Sequence, residues 1–218
     1  SVTGFDAYAN LYADARKWFH DGDVDYLTPQ LYWKIESTGQ SYPKLLRWWH
    51  EQNQHGRHLW PGNFTSRVRN ANAGNWSPEE IIRQIRRTRL QAGASGNVHF
   101  SMKALMDSSR GVSEALAAGP YREPALVPSF PWLGEKPPAT PNVRLRDTTV
   151  QLRLGDGTAP WLWVVQAETD DGWETTLVPG HRHEHDVTQY GTWRRIAIST
   201  VNRIGLSSPA MVLVSREE

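Results

Sequence analysis

Between residues 124 and 143 the chain reads PALVPSFPWLGEKPPATPNV, six prolines in twenty residues. Proline has no amide proton and fixes its own φ, so this stretch is neither helix interior nor central strand. It divides the chain, and a boundary is expected near residues 137–141. Each side must then be read separately, because the two sides have different rhythms.

Ahead of the prolines, helix and strand alternate. Residues 6–20 carry Leu11, Ala15, Trp18 and Phe19 at helical spacing and stop at Asp21-Gly22. VDYLTPQLYW, residues 24–33, follows as a strand. A second helix spans residues 43–54, with Gly56 as its stop. HLWPGNF, residues 58–64, is a second strand. Ser77-Pro78-Glu79-Glu80 starts a third helix, with Ser77 as N-cap and Glu80 closing a capping box. GNVHFSM, residues 96–102, is a third strand. This alternation is the rhythm of a parallel α/β sheet or barrel. Behind the prolines every segment reads as a strand, six or seven of them parted by turns such as GDG and DDG, which suits a small two-sheet sandwich. The expected fold class is α/β followed by all-β, with residues 1–136 and 137–218 as the two domains.

Charge excludes some partners. The formal net charge of +1 gives no case for a nucleic acid or an acidic membrane surface. No apolar run approaches the roughly 20 residues that span a bilayer. There is no cysteine, so thiolate metal sites are out. His181, His183 and His185 alternate along an extended segment, but a strand sets them about 6.5–7 Å apart, too wide for one ion. With no Gly-rich phosphate loop, GxSxG elbow or HExxH helix either, neither metal nor cofactor is expected. The eleven tryptophans point elsewhere. Several fall at strand ends or beside Pro and Gly, where aromatic faces commonly stack on sugar rings.

Within VDYLTPQLYW, Leu27, Pro29 and Leu31 face one way while Thr28, Gln30 and Tyr32 face the other. In a barrel the first set packs under helices and the second faces the axis, with Gln30 and Tyr32 near the C-terminal mouth. By the same pattern Val98, Phe100 and Met102 pack under helices, His99 and Ser101 look inward, and Lys103 reaches the rim. Trp60 and Asn63 occupy the corresponding mouth of the second strand. Each of these residues has an ordinary structural explanation when taken singly. Three strands ending together in polar or aromatic groups favour a shared site.

These residues also carry a resemblance. DAYANLYADARKWFHDGDVDYLTPQLYW, LLRWWHEQNQHGRHLWPG, EEIIRQIRRTR, GNVHFSM and YREPALVPSFPWL, in that order, resemble the bacterial glycosyl-hydrolase-like family ten. That resemblance implies a (β/α)8-barrel glycosidase, exported or held at the cell envelope, acting on a cell-wall or other polysaccharide. TWRRIAISTVNRIGLSSPA is similar to the last strands of a fibronectin type III module. A whole barrel takes about 250 residues, whereas this chain carries about three strand–helix units. It is expected to be the C-terminal part of the barrel, with the missing N-terminal half or a second copy covering the open sheet.

On that reading, Tyr32, Trp33 and Trp60 stack on sugar, and Gln30, Asn63, Ser101 and Lys103 hydrogen-bond it. Glycoside hydrolysis usually needs two carboxylates, roughly 5–9.5 Å apart. The strand ends carry none, and Glu36, three residues past Trp33, is the candidate catalytic acid. Asp25 lies at the opposite end of its strand and reads as structural. The alternative is a non-catalytic carbohydrate-binding or adhesion module.

Overall fold

A computed structural model describes residues 6–69, 76–107, 111–155 and 159–215. The chain divides into two compact units, residues 1–122 and 123–218. The proline-rich stretch thus goes with the second unit, ahead of the expected boundary. Its backbone finds partners there: Phe130 N–H donates to Ile204 O at 2.8 Å, and Lys136 O accepts from Asn202 Nδ2 at 3.4 Å.

In the first unit the helix expected over residues 6–20 is two helices, α1 (Ala7–Leu11) and α2 (Ala15–His20). Each has its own aspartate cap. Asp6 accepts from the Tyr8 amide and Asp14 from the Lys17 amide, while Tyr12 between them takes a left-handed φ of 54°. A side chain able to cap begins a new helix rather than prolonging the old one.

Three extended runs then lie side by side. β1 (Tyr26–Leu27) pairs with β2 (His58–Leu59), and β3 (Gly62–Asn63) pairs with β4 (Val98–His99), both in parallel. Parallel bridges between Gln30 and Gly62, and between Leu59 and Ala94, extend the contacts. The second run is broken only at Trp60-Pro61. Parallel neighbours need long crossovers, and α3 (Tyr42–Glu51) and α5 (Pro78–Leu90) lie within them. Leu31 and Leu59 pack with Phe19, Tyr42 and Leu46 in one core. Ile81, Ile82 and Ile85 of α5 form another with Val68, Trp76, Val112 and Leu116. Val68 belongs to α4 (Ser66–Arg69), and the last two belong to α7 (Val112–Ala118), which follows α6 (Met102–Met106).

The start of α5 differs from expectation in one respect. Ser77 is the N-cap and Pro78 the first helical residue, but no side-chain cap forms. Glu80 turns inward instead, 6% exposed, and accepts from the Ile35 amide and from Gln84 Nε2, both at 2.9 Å. A buried acceptor without a partner is costly, and two donors, one from the next turn of α5 and one from the Ile35 backbone, satisfy this one.

The second unit is all antiparallel. β5 (Pro141–Arg146), β6 (Thr149–Leu154) and β9 (Glu184–Asp186) form one sheet. The other runs in the order β11 (Met211–Val214), β10 (Trp193–Val201), β7 (Leu162–Thr169), β8 (Gly172–Pro179). Val143, Val150 and Leu152 of the first sheet share a core with Trp163, Val165, Ile196 and Ile198 of the second. The two sheets therefore close on each other as a sandwich. Among the described residues, no helix is long and apolar enough to cross a membrane.

Candidate functional site

The face of the three parallel runs turned away from α3 and α5 is aromatic. Leu27 is level with Leu59 and Gln30 with Gly62, so Trp60 is level with Thr28, in mid-strand rather than at the mouth expected of it. Its ring stacks on Tyr26 at 4.5 Å and on His58 at 5.4 Å. Trp60 Nε1 donates to Ser95 Oγ at 2.8 Å, and Ser95 Oγ lies 2.9 Å from His58 Nδ1. Two fixed neighbours and a hydrogen bond leave this indole little freedom to turn.

At the C-terminal ends a second aromatic group forms. Tyr32 lies 4.5 Å from Phe64 and 5.8 Å from Phe100, and the two phenylalanines are 5.7 Å apart. Burial raises the Tyr32 phenol above its ordinary pKa, so it stays protonated and able to donate. Gln30 is exposed beside it. Tyr26, Val98 and Phe100 are each between 39 and 50% exposed, so the face as a whole is open. Tyr26, Phe64 and Phe100 were not among the candidates. The available signal was an aromatic near the same level in each run: Tyr32, Phe64, Phe100.

The third run faces opposite to expectation. Phe100 and Val98 lie on the open side, while His99 lies on the helix side between Thr65 Oγ1 and the Tyr121 hydroxyl, 2.7 Å from each. Desolvation lowers its pKa from 6.5 to about 4, so the ring is neutral. Asn63 likewise points under the helices, fully buried. It donates to Gln84 Oε1 at 2.9 Å and accepts from Asn97 Nδ2 at 2.8 Å. Thr88 Oγ1 lies 2.7 Å from the Tyr42 hydroxyl, whose pKa burial pushes up to about 12. The physical reason is the partner surface. α5 offers Gln84 to Asn63, and Thr65 and Tyr121 serve His99, so polar strand residues are the ones satisfied on this side.

The remaining candidates disperse. Ser101 is the N-cap of α6, its amide donating to Ser66 Oγ at 2.9 Å. Lys103 is exposed on α6. Trp33 is half-buried, and its carbonyl accepts from Gln84 Nε2 at 3.2 Å. Glu36 is ion-paired with Arg83 of α5, whose hydrogen bond holds its carboxyl below the usual pKa range. It is an ionised surface group. No acidic residue occurs in residues 26–32, 58–64 or 96–101, so the aromatic face is built without one. Among the described residues no group of three or more His, Asp or Glu is placed to hold a metal ion.

Similarity to known proteins includes a match located on this first unit. The glycosyl hydrolase-like 10 family profile matches residues 1–77. The glycosyl hydrolase YngK of Bacillus subtilis is 38% identical over 138 residues, which is 62% of this chain and 27% of that protein. The glycosyl hydrolase DigH of Escherichia coli is 41% identical over 46 residues, 21% of this chain and 10% of that protein. The chain therefore spans about a quarter or less of the length of these relatives. Among solved structures, the Clostridium perfringens spore cortex lytic enzyme SleM covers 79% of this chain and 74% of its own. At 12% identity and a TM-score of 0.27 that likeness carries no argument.

Proposed function

We propose that the first unit is the C-terminal portion of a (β/α)8-barrel glycosidase of the cell envelope, acting on a cell-wall or other polysaccharide. The observation that carries this reading is the open aromatic face on three adjacent parallel strands. Sugar rings present apolar C–H faces and a fringe of hydroxyls. Tyr32, Phe100 and Trp60 supply flat apolar partners, and Gln30 with the Tyr32 hydroxyl supplies hydrogen bonds. Asn63 and Ser101 then act as positioning residues: the first holds the polar layer under the strands, the second the start of α6.

The chemistry itself falls to carboxylates outside these strands. Hydrolysis is assigned to the barrel as a whole, and this portion supplies part of the sugar-binding wall. For the second unit, seven antiparallel strands among the described residues, in a three-plus-four arrangement with the Asn202 to Pro209 run at its close, support a fibronectin type III-like module.

The test is titration of the chain with cell-wall and β-glucan oligosaccharides. Tyr32→Ala and Trp60→Ala should each weaken binding about ten-fold or more, equivalent to about 1.4 kcal/mol. Unchanged affinity in both variants would remove the site. A non-catalytic binding module is the second reading, favoured by the absence of acidic residues from the three strand runs. The reducing-sugar assay on a protein extended by the upstream barrel sequence separates the two: release of reducing ends supports the enzyme, and binding without release supports the module.

A further inference from the structure

One end of the sandwich holds a groove of about 1010 Å³ at the turns that flank β7, β8 and β10. Its lining includes Lys136, Pro160, Trp161, Pro179, His181 and Arg203. Among the described residues that line it there is no carboxylate, although acids are nearly as numerous as Lys and Arg in the chain overall. Among the described lining residues the charge is therefore one-sided.

Trp161 is the centre of this groove. It is 49% exposed, although a guanidinium already lies over its ring, with Arg203 Cζ 4.4 Å from the centroid. Its backbone is fixed on both sides. Trp161 N–H donates to Val201 O at 2.9 Å, and Trp161 O accepts from Gly180 N–H at 3.0 Å. The approach at Gly180 is so close that a Cβ there would come within 1.7 Å of Pro160 O. Only glycine fits, and it lets the β8–β9 turn lock the indole's anchor in place. Residues 202–206 are tied as well, since Asn202 Oδ1 accepts from the amides of Ile204 and Leu206 at 3.1 and 2.9 Å. Arg203 lies within that turn.

An exposed indole on a fixed backbone, with an arginine pinned over it, costs little ordering entropy on binding. The indole offers an apolar plane, and the guanidinium offers a planar fork suited to a carboxylate. The proline walls exclude water without supplying donors, and Lys136 adds a second positive charge. We propose that this groove binds an acidic glycan, one whose sugar rings carry carboxylates, with Trp161 as the stacking surface and Arg203 as the carboxylate partner. The site lies within the second unit and does not depend on the glycosidase reading of the first.

Calorimetric titration of the whole chain tests it, with hexagalacturonate as the acidic probe and cellohexaose as its neutral counterpart. Hexagalacturonate should bind at least about ten-fold more tightly. Its affinity should fall between about 50 and 300 mM salt, because exposed charges are screened over that range. Arg203→Gln and Trp161→Ala should each weaken it about ten-fold or more. Trp161→Phe, which keeps a ring in place, should weaken it less than alanine does. Trp173→Ala, an exposed indole at the far end of β8, should leave hexagalacturonate binding unchanged. Equal binding of cellohexaose overturns the assignment, as does unaltered affinity in both Arg203→Gln and Trp161→Ala. Poly-L-glutamate binding as tightly as hexagalacturonate overturns it too, by making the groove a general polyanion surface.

Discussion

His99 shows how one side chain can be misread from sequence and still be informative. Alternation with Val98 and Phe100 suggested that the polar residues faced the barrel axis. That inference assumed an apolar layer beneath the strand, and Thr65 and Tyr121 instead receive the imidazole there, out of water. His99 is consequently held neutral, with a folded pKa of about 4 against 6.5 in the unfolded chain. The sign follows directly. As pH falls below 6.5 the unfolded state gains a proton that the folded state refuses, so stability present at neutral pH is lost. Between pH 7 and 5 the loss from this group is about 2 kcal/mol. Urea denaturation followed through the amide signals of Asn63 and Val98 should report it, and His99→Gln should flatten the difference. Those probes matter because His185, in the other unit, is also depressed by burial. Carboxylates such as Glu36, held low by Arg83, act below this window.

The elements were more legible than their facing. α3, α5 and the three parallel runs lie close to where hydrophobic spacing put them, since those signals come from many residues at once. The break between α1 and α2 depends on a single capping aspartate, and the fate of Glu80 on an amide forty-five residues away in sequence. Neither is a periodic feature. Under the strands, Tyr42, Asn63, Gln84, Thr88 and Asn97 form one buried polar layer joining α3, α5 and two runs. Tyr42→Phe removes only the hydroxyl, yet it strips a partner from Thr88, Asn63 and Asn97. The expected cost is about 1–3 kcal/mol for buried groups left short of partners, measurable by thermal or urea unfolding. A change within a few tenths of a kcal/mol would mean the layer is not coupled.

At the scale of the molecule, the switch from alternating helix and strand to strands alone was plain from the proline-dense stretch. Which unit that stretch joins was not, because hydrogen bonds tie it to Thr200, Asn202 and Ile204 far along the chain. The open strand face has a further consequence for solution behaviour. Val98 and Phe100 of the third run are 39 and 50% exposed, and Met102 at the start of α6 is 70% exposed. Contiguous apolar surface of this kind marks an interaction face. Sedimentation velocity over a range of concentrations should show this chain self-associating, and Phe100→Lys with Met102→Lys should shift it toward monomer. A monomer at all concentrations would argue against an apolar contact there.

The hydrogen bond from the Ile35 amide to Glu80 sets a rule for anyone exchanging segments among these proteins. Residues 31–41 look like a loop that could be transplanted alone. In fact the opening turn of α5 has to travel with them. A donor loop carrying proline at position 35 has no amide to give, and would leave an inward-facing carboxyl group short of one of its two hosts.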